Sequence, residues 1–386
     1  MFYNRKNTLI VFISFLFCLS GCGRDKPEDE KSKTFVIDYH TGKKIHFEDY
    51  FELEKMTYVF FDDDNSLFLS DDLQLEFTGK YFFILDKGYA QLYRFDNNGA
   101  LINKIGRSGQ GPAEYYNPGF FSVDTQNEAV DILSDNGSTI MTFNFEGDYL
   151  KKFSTPFIVT SFDRLNSNLY FYYSGYFNSP NFHRLHRADT IQILESYLPL
   201  KTQAFDMIEM NFTPKADYGY FRETFFPSVY KYDKNGIEEF LKLDFGNYEI
   251  TKEELERVSD PFEFFEKIGS DGFCSTVSLR AGNDFFCVVT LKQGSGGTRV
   301  SHFYVNIADS TYKRVISNAS QEATNDFFSQ LRPVHIDLEG SVWFLTNPLD
   351  LKSFLESRTE LSLGYAIPED YFNPLLIVLP LKDHSW

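Results

Sequence analysis

Ile84-Leu85-Asp86 and Ile132-Leu133-Ser134 say the same thing twice, as do Arg94-Phe95-Asp96-Asn97-Asn98-Gly99 and Thr142-Phe143-Asn144-Phe145-Glu146-Gly147. Both pairs lie in the stretch Phe82 to Phe153 and share a constant offset of 48 residues. A fixed period of that size marks a repeated supersecondary unit. Each copy alternates short apolar runs (in the first, Phe82 to Leu85, Leu92 to Phe95 and Leu101 to Ile105) with polar or Gly-centred turns. That pattern suits a small antiparallel sheet with no helix, which is a propeller blade. One blade cannot bury both its faces, so several must stack around an axis. The fold class expected is all-β: a six-bladed β-propeller, in preference to seven blades, with short helical insertions.

Between the copies runs Gly106-Arg107-Ser108-Gly109-Gln110-Gly111-Pro112-Ala113-Glu114-Tyr115. Glycine permits positive φ and proline fixes φ, so Gly106, Gly109, Gly111, Pro112 and Glu114 are expected to build a rigid blade-junction loop, with Gly109 and Gly111 in backbone conformations that favour glycine. Residues 106–150 resemble an NHL-type repeat. The chain as a whole resembles the six-bladed β-propeller lipoproteins of Bacteroidetes-type bacteria, on the Gly109 to Tyr115 loop, Leu243-Asp244-Phe245-Gly246 followed by Ile250, Asn325-Asp326, and Asn373-Pro374-Leu375-Leu376-Ile377-Val378. The resemblance implies a fold and an envelope location, and carries no activity that transfers residue by residue.

The start of the chain reads as a targeting segment. Arg5 and Lys6 form a positive n-region, Leu9 to Phe17 an apolar h-region too short to span a bilayer, and Leu19-Ser20-Gly21-Cys22 a lipobox. Residues 1–21 are then a lipoprotein signal peptide, Cys22 is the lipidation site, residues 22–34 are a charged, flexible lipid-anchor tether, and 35–386 are the propeller domain. In the family it resembles, an acidic tract after the lipidated cysteine favours the outer face of the outer membrane, a part that Asp25 and Glu28 to Glu30 suit. The expected location is therefore the outer membrane, lipid-anchored and facing periplasm or cell surface.

The full chain carries a formal charge of −18. Loss of Arg5 and Lys6 with the signal takes it to −20. An acidic chain without clustered Lys and Arg is no nucleic-acid partner. The seven histidines are scattered. No P-loop, nucleophile elbow or EF-hand is legible: Ser108 sits in Gly-Arg-Ser-Gly, and the Asp62-Asp63-Asp64-Asn65 cluster lacks the Gly and Glu of a calcium loop. Neither metal nor cofactor is expected.

One local excess of aromatic and basic side chains stands out, from Leu169 to Arg187. Tyr172, Tyr173, Tyr176, His183, Arg184 and Arg187 are the candidate ligand-binding residues, since aromatic faces stack on sugars and Arg forks carboxylates. The competing reading is that alternate strand aromatics simply face the neighbouring blade. Residues 34–54 read as a leading strand pair laid on the first blade. Capping boxes at Thr251 to Glu254 and Asp260 to Glu263 announce two short helices that insert on one rim as lid, docking surface or packed decoration. Cys274 and Cys287 are either a cross-strand disulfide or two buried thiols. The function expected is non-catalytic binding of a glycan, peptide or envelope protein partner, with a carbohydrate-active or metal-dependent hydrolase or lyase as the alternative. An aromatic, acid-poor channel mouth favours the binder; Glu, His and Arg gathered there favour the enzyme.

Overall fold

The computed structural model describes residues 34–40, 44–62, 67–176, 182–202, 210–294, 297–316, 327–358 and 367–382. Cys22, the tether as far as residue 33, and Asn325-Asp326 lie outside them. An N-terminal run of β1 (Phe35–Asp38), β2 (Lys44–His46), α1 (Phe47–Tyr50) and β3 (Thr57–Phe60) precedes the blades. Blade 1 is β4 (Leu73–Phe77), β5 (Tyr81–Asp86), β6 (Gln91–Asp96) and β7 (Leu101–Ile105); blade 2 is β8 (Phe120–Asp124), β9 (Ala129–Ser134), β10 (Thr139–Asn144) and β11 (Tyr149–Ser154). Blade 3 is β12 (Ser161–Arg164), β13 (Leu169–Tyr173), β14 (His183–Asp189) and β15 (Gln192–Pro199). Blade 4 is β16 (Phe212–Pro214), β17 (Tyr218–Arg222), β18 (Ser228–Asp233) and β19 (Gly236–Asp244), followed by α2 (Lys252–Glu256) and α3 (Pro261–Asp271). Blade 5 is β20 (Phe273–Ala281), β21 (Phe285–Gln293), β22 (Arg299–Asn306) and β23 (Thr311–Ile316). After α4 (Phe327–Gln330), blade 6 takes β24 (Arg332–Ile336) and β25 (Val342–Thr346), then α5 (Pro348–Glu356), then β26 (Leu375–Leu379). Each blade is an antiparallel meander, and the six sheets make a six-bladed β-propeller.

Strand alternation explains the stacking. Neighbouring residues of one strand point to opposite faces, and here the two faces are two blade interfaces. Ile84 packs into the cluster between blades 6 and 1, and Leu85 into the cluster between blades 1 and 2. One repeat later Ile132 faces blade 1 and Leu133 faces blade 3. Full burial of side chains of this size contributes about 1.5–3 kcal/mol each, so every interface is a small core of its own. The repeating glycines add a clamp. Gly99 (φ 92) and Gly147 (φ 94) close equivalent turns; a side chain at Gly99 would collide with the Phe60 carbonyl of the preceding blade, and a Cβ at Gly147 would stand 2.5 Å from the Lys104 carbonyl. Their own carbonyls accept from Asp62 N and Gly106 N, at 3.0 and 3.3 Å.

The N-terminal run departs from the sequence expectation. It is laid on blades 4, 5 and 6 instead of on the first blade. β1 pairs parallel with β19 at the edge of blade 4, β2 pairs parallel with β23 at the edge of blade 5, and β3 is the outermost strand of blade 6, antiparallel to β26. The physical reason is ring closure: with β3 in blade 6 and β4 in blade 1, the chain stitches its last blade to its first. Tyr371 and Asn373 lock the seam, since Phe61 N donates to Tyr371 Oη (2.8 Å) and Asn373 Nδ2 donates to Phe61 O (3.2 Å).

Both helices form, the first with the capping box expected and the second with an Asp260 N-cap in place of the box expected at Asp260 to Glu263. Thr251 accepts from Glu254 N in a complete capping box, and Asp260 accepts from Phe262 N with Pro261 in the first turn. Leu255, Val258, Phe264 and Ile268 pack on Tyr176, Leu200, Phe225 and Phe273. Phe273 begins the inner strand of blade 5, while Tyr176 and Phe225 follow strands whose ends pair with the beginnings of the inner strands of blades 3 and 4. The helices therefore sit where inner strands begin. Cys274 and Cys287 are buried free thiols; Cys274 pairs with Lys292 and Cys287 with Arg280, so the register never brings them opposite each other.

Candidate functional site: the central channel

The candidate tyrosines of blade 3 are used up in packing. Tyr172 lies in the cluster between blades 2 and 3 and Tyr173 in the cluster between blades 3 and 4, both fully buried. Tyr172 Oη donates to Thr190 O (2.6 Å). Tyr176 packs under the helical insertion, 5.8 Å from the Phe225 ring. Arg184 forks buried Glu223 at 2.5 and 2.8 Å and covers the Phe226 ring. His183 keeps its carbonyl on His186 Nε2 (3.0 Å), and Arg187 is half-buried, donating to Lys234 O and pairing with Glu195 at 3.3 Å. Stacking needs an open ring face, and Tyr172, Tyr173 and Tyr176 have none. The packing alternative accounts for them.

The blade-junction loop is built as a loop around one carboxylate. Glu114 Oε2 accepts from Gly111 N (2.8 Å) and Oε1 pairs with Arg107 Nε (2.7 Å). Gly109 gives way to that carboxylate, with which any side chain there would collide. Only Gly106 has a positive φ (58), so the expected left-handed backbone at Gly109 and Gly111 is corrected: space explains Gly109 and conformation explains Gly106. The loop delivers Tyr115 into the interface of blades 1 and 2, where its hydroxyl accepts from Gln91 Nε2 (2.8 Å) and Leu92 N (3.1 Å) and donates to Ile105 O (3.0 Å). Tyr115 was not singled out in the sequence, yet it is the loop's anchor.

Where the inner strands end, opposite the helices, residues from all six blades line one cavity of about 460 Å³. Short turns at Thr78, Thr125, Asn166, Ala216, Asn283 and Leu338 rim it. Its ionisable groups are Glu76, Asp124, Asp163, Arg164, Lys215, Arg280, His335 and Asp337. Several are committed to structure. Arg164 pairs with Asp124 (3.2 Å) and Asp131 (3.5 Å); Asp163 accepts from Tyr232 Oη (2.6 Å) and Ser122 Oγ (3.0 Å); Asp337 accepts from Ser341 N and Trp343 Nε1. Others are less committed. Lys215 Nζ donates to Ala281 O (2.5 Å) and Arg280 Nη1 to its own neighbour Leu279 O (2.7 Å). Among the described residues neither cation makes an ion pair.

Protein surrounds these groups, so desolvation dominates their chemistry. Burial, reinforced by Asp163 and opposed by Arg280, pushes Glu76 up to about 8, so it keeps its proton at neutral pH. Burial, with Lys215 and Arg280 adding to it against Asp337, holds His335 down to about 4 as a neutral ring, set edge-on to Phe77 (4.9 Å) and Trp343 (5.6 Å). Burial, with Arg222 beside it, lowers Arg280 to about 10, and burial lowers Lys215. Gln74 donates from Nε2 to Phe121 O (3.1 Å), while its buried Oε1 accepts from no group among the described residues. No group of three or more potential metal ligands occurs among the described residues. The sequence reading missed all of these residues. The signal was positional: the residues just before the first turn of each blade, findable only once all six blades are aligned.

Two solved structures are similar in fold. A protein of Bacteroides fragilis NCTC 9343, proposed to be exported, matches at 15% identity and a TM-score of 0.71, over 90% of this chain and 100% of its own. A member of the DUF4221 family from Bacteroides vulgatus matches at 12% identity and a TM-score of 0.50, over 86% and 99%. At these identities the likeness is one of fold. Comparison with curated proteins finds no match. The chain belongs to the family described as Domain of unknown function (DUF4934), which matches it over residues 32–378.

Proposed function

We propose that this is an envelope-anchored, non-catalytic propeller lipoprotein that binds a glycan or peptide, free or displayed by a partner protein, at the mouth of its channel. One observation carries the reading: a single cavity into which all six blades send polar side chains, several of them unspent on the fold. Concave sites with a few convergent polar groups are the usual form of ligand sites. The anchoring half rests on Leu19-Ser20-Gly21-Cys22, and the export proposed for the Bacteroides fragilis neighbour agrees with it. A second reading, a hydrolase or lyase acting on carbohydrate, is favoured by Glu76: an acid that keeps its proton near neutrality beside a hydrogen-bonded Asp163 is what general acid catalysis needs.

The experiment is a glycan and peptide array with three proteins. Ala216→Trp fills the exposed mouth and should abolish binding, whereas Arg187→Ala, on the flank of blade 3, should leave it intact. The reverse pattern would overturn the channel reading. Chain shortening of any captured glycan would decide for the enzyme. Fractionation of Cys22→Ser should find it released from membranes, and a variant still in the membrane fraction would refute the anchor.

A further inference from the structure

We propose that the channel cavity takes a hydroxylated monocarboxylate, a uronic acid residue for example, with its carboxylate between Lys215 and Arg280 and a hydroxyl donated to Gln74 Oε1. This rests on the reading of the channel mouth as the binding site and names the ligand's chemistry.

The cations come from adjacent blades, line the same cavity and hold carbonyls two residues apart on one strand, those of Ala281 and Leu279. Lys215 follows β16 of blade 4, and its ammonium is fixed on the carbonyl of Ala281, the residue after Arg280 in β20 of blade 5. A desolvated cation without a counter-ion is costly, which is why such charges in folded proteins are paired. Here two line one cavity without an ion pair among the described residues, in a protein whose acids outnumber its bases 55 to 37. Arg164, in the same cavity, shows the contrast: Asp124 and Asp131 neutralise it. A carboxylate placed between Lys215 and Arg280 would supply what the fold withholds, through charge-assisted hydrogen bonds.

Three further features narrow the class. Asp163, Asp124 and Asp337 face the same cavity and set a limit on negative charge, favouring a monoanion over a phosphate dianion. Glu76 faces Asp163 and Arg280, with His335, Lys215, Arg164 and Asp124 around the same space; because it is protonated at neutral pH, it does not compete for Arg280. The unpaired Gln74 Oε1 asks for a donor, which a hydroxyl provides and a hydrocarbon acid does not. A volume of about 460 Å³ suits one or two sugar rings.

The test is calorimetric titration of the mature protein in detergent at pH 7 with glucuronate, glucose, acetate and inorganic phosphate. Glucuronate should bind, and glucose, acetate and phosphate should bind at least tenfold more weakly. Arg280→Gln and Lys215→Gln should each lower glucuronate affinity about tenfold or more, with unchanged melting temperature. Glu76→Gln, which keeps a neutral side chain, should retain it. Glucose bound as tightly as glucuronate, with both lost in Ala216→Trp, would overturn the carboxylate and leave the channel reading standing. Acetate or phosphate equal to glucuronate would overturn the hydroxylated monocarboxylate. Loss of glucuronate binding in Glu76→Gln but not in Arg280→Gln would overturn the assignment of the carboxylate to Arg280. Glucuronate binding untouched by Ala216→Trp would overturn the inference and the channel reading together.

Discussion

Gly106 and Gly111 look alike in the sequence and do different jobs. Gly106 has φ 58 and a Cβ on it would stand 2.6 Å from the Phe143 ring; Gly111 has no positive φ, and a Cβ there would meet only the end of the Glu114 side chain at 3.0 Å. Gly106→Ala should therefore cost about 1–3 kcal/mol, and Gly111→Ala below about 1 kcal/mol, because a carboxylate end can swing aside. Urea unfolding of the two variants tests this, and equal losses would contradict it. At this scale the sequence shows which residues allow an unusual backbone but not which ones adopt it, because that depends on a neighbour such as Phe143, 37 positions away. The same limit hid Gln74, Lys215 and Arg280. Each is an ordinary polar residue on or just after an inner strand until six strand ends are brought to one axis.

At the scale of elements, alternation and turn chemistry carried well. The two repeats and the capped helices stand where periodicity and caps put them, with β5, β6 and β7 recurring 48 residues on as β9, β10 and β11. Partners were not legible. Phe35 and Ile37 say strand, yet nothing local says that β1 will lie parallel to β19, some two hundred residues later. The N-terminal strands also differ in importance. A chain beginning at Met56 keeps β3 but loses β1, β2 and α1, uncovering Leu243, Val315 and Tyr304, against which Ile37, Tyr50 and Phe51 pack. It should fold with a lowered melting temperature. A chain beginning at Asp62 also lacks β3, leaves β26 as an open edge, and should give no monomeric folded species in circular dichroism and size-exclusion chromatography. Equal behaviour of the two would refute the closing role of β3.

For the whole molecule, acid is the sensitive variable. Burial holds His302 down to about 3, and His186 and His335 down to about 4, so all three are neutral in the fold. In the unfolded chain they titrate near 6.5. Below that the unfolded state takes up protons that the fold refuses, so stability falls from about pH 6.5 towards 4. Asp131 and Asp163, raised by burial, work in the opposite direction, because the fold favours their protonated forms. The difference between wild type and His302→Phe isolates one histidine, whose ring lies against Phe328 and Phe344. Melting temperatures from pH 7 to 4.5 should fall less steeply in the variant, and parallel curves would show that His302 does not contribute. The seam between β3 and β26 bears on something beyond stability. Phe61 and Tyr371 are 310 residues apart, so a chain emerging N-terminus first has finished β3 long before its partner exists. Six blades must wait on the final strand, which makes closure the last event of folding and makes a chain cut short by even its last dozen residues a ring with an open, self-adhesive edge.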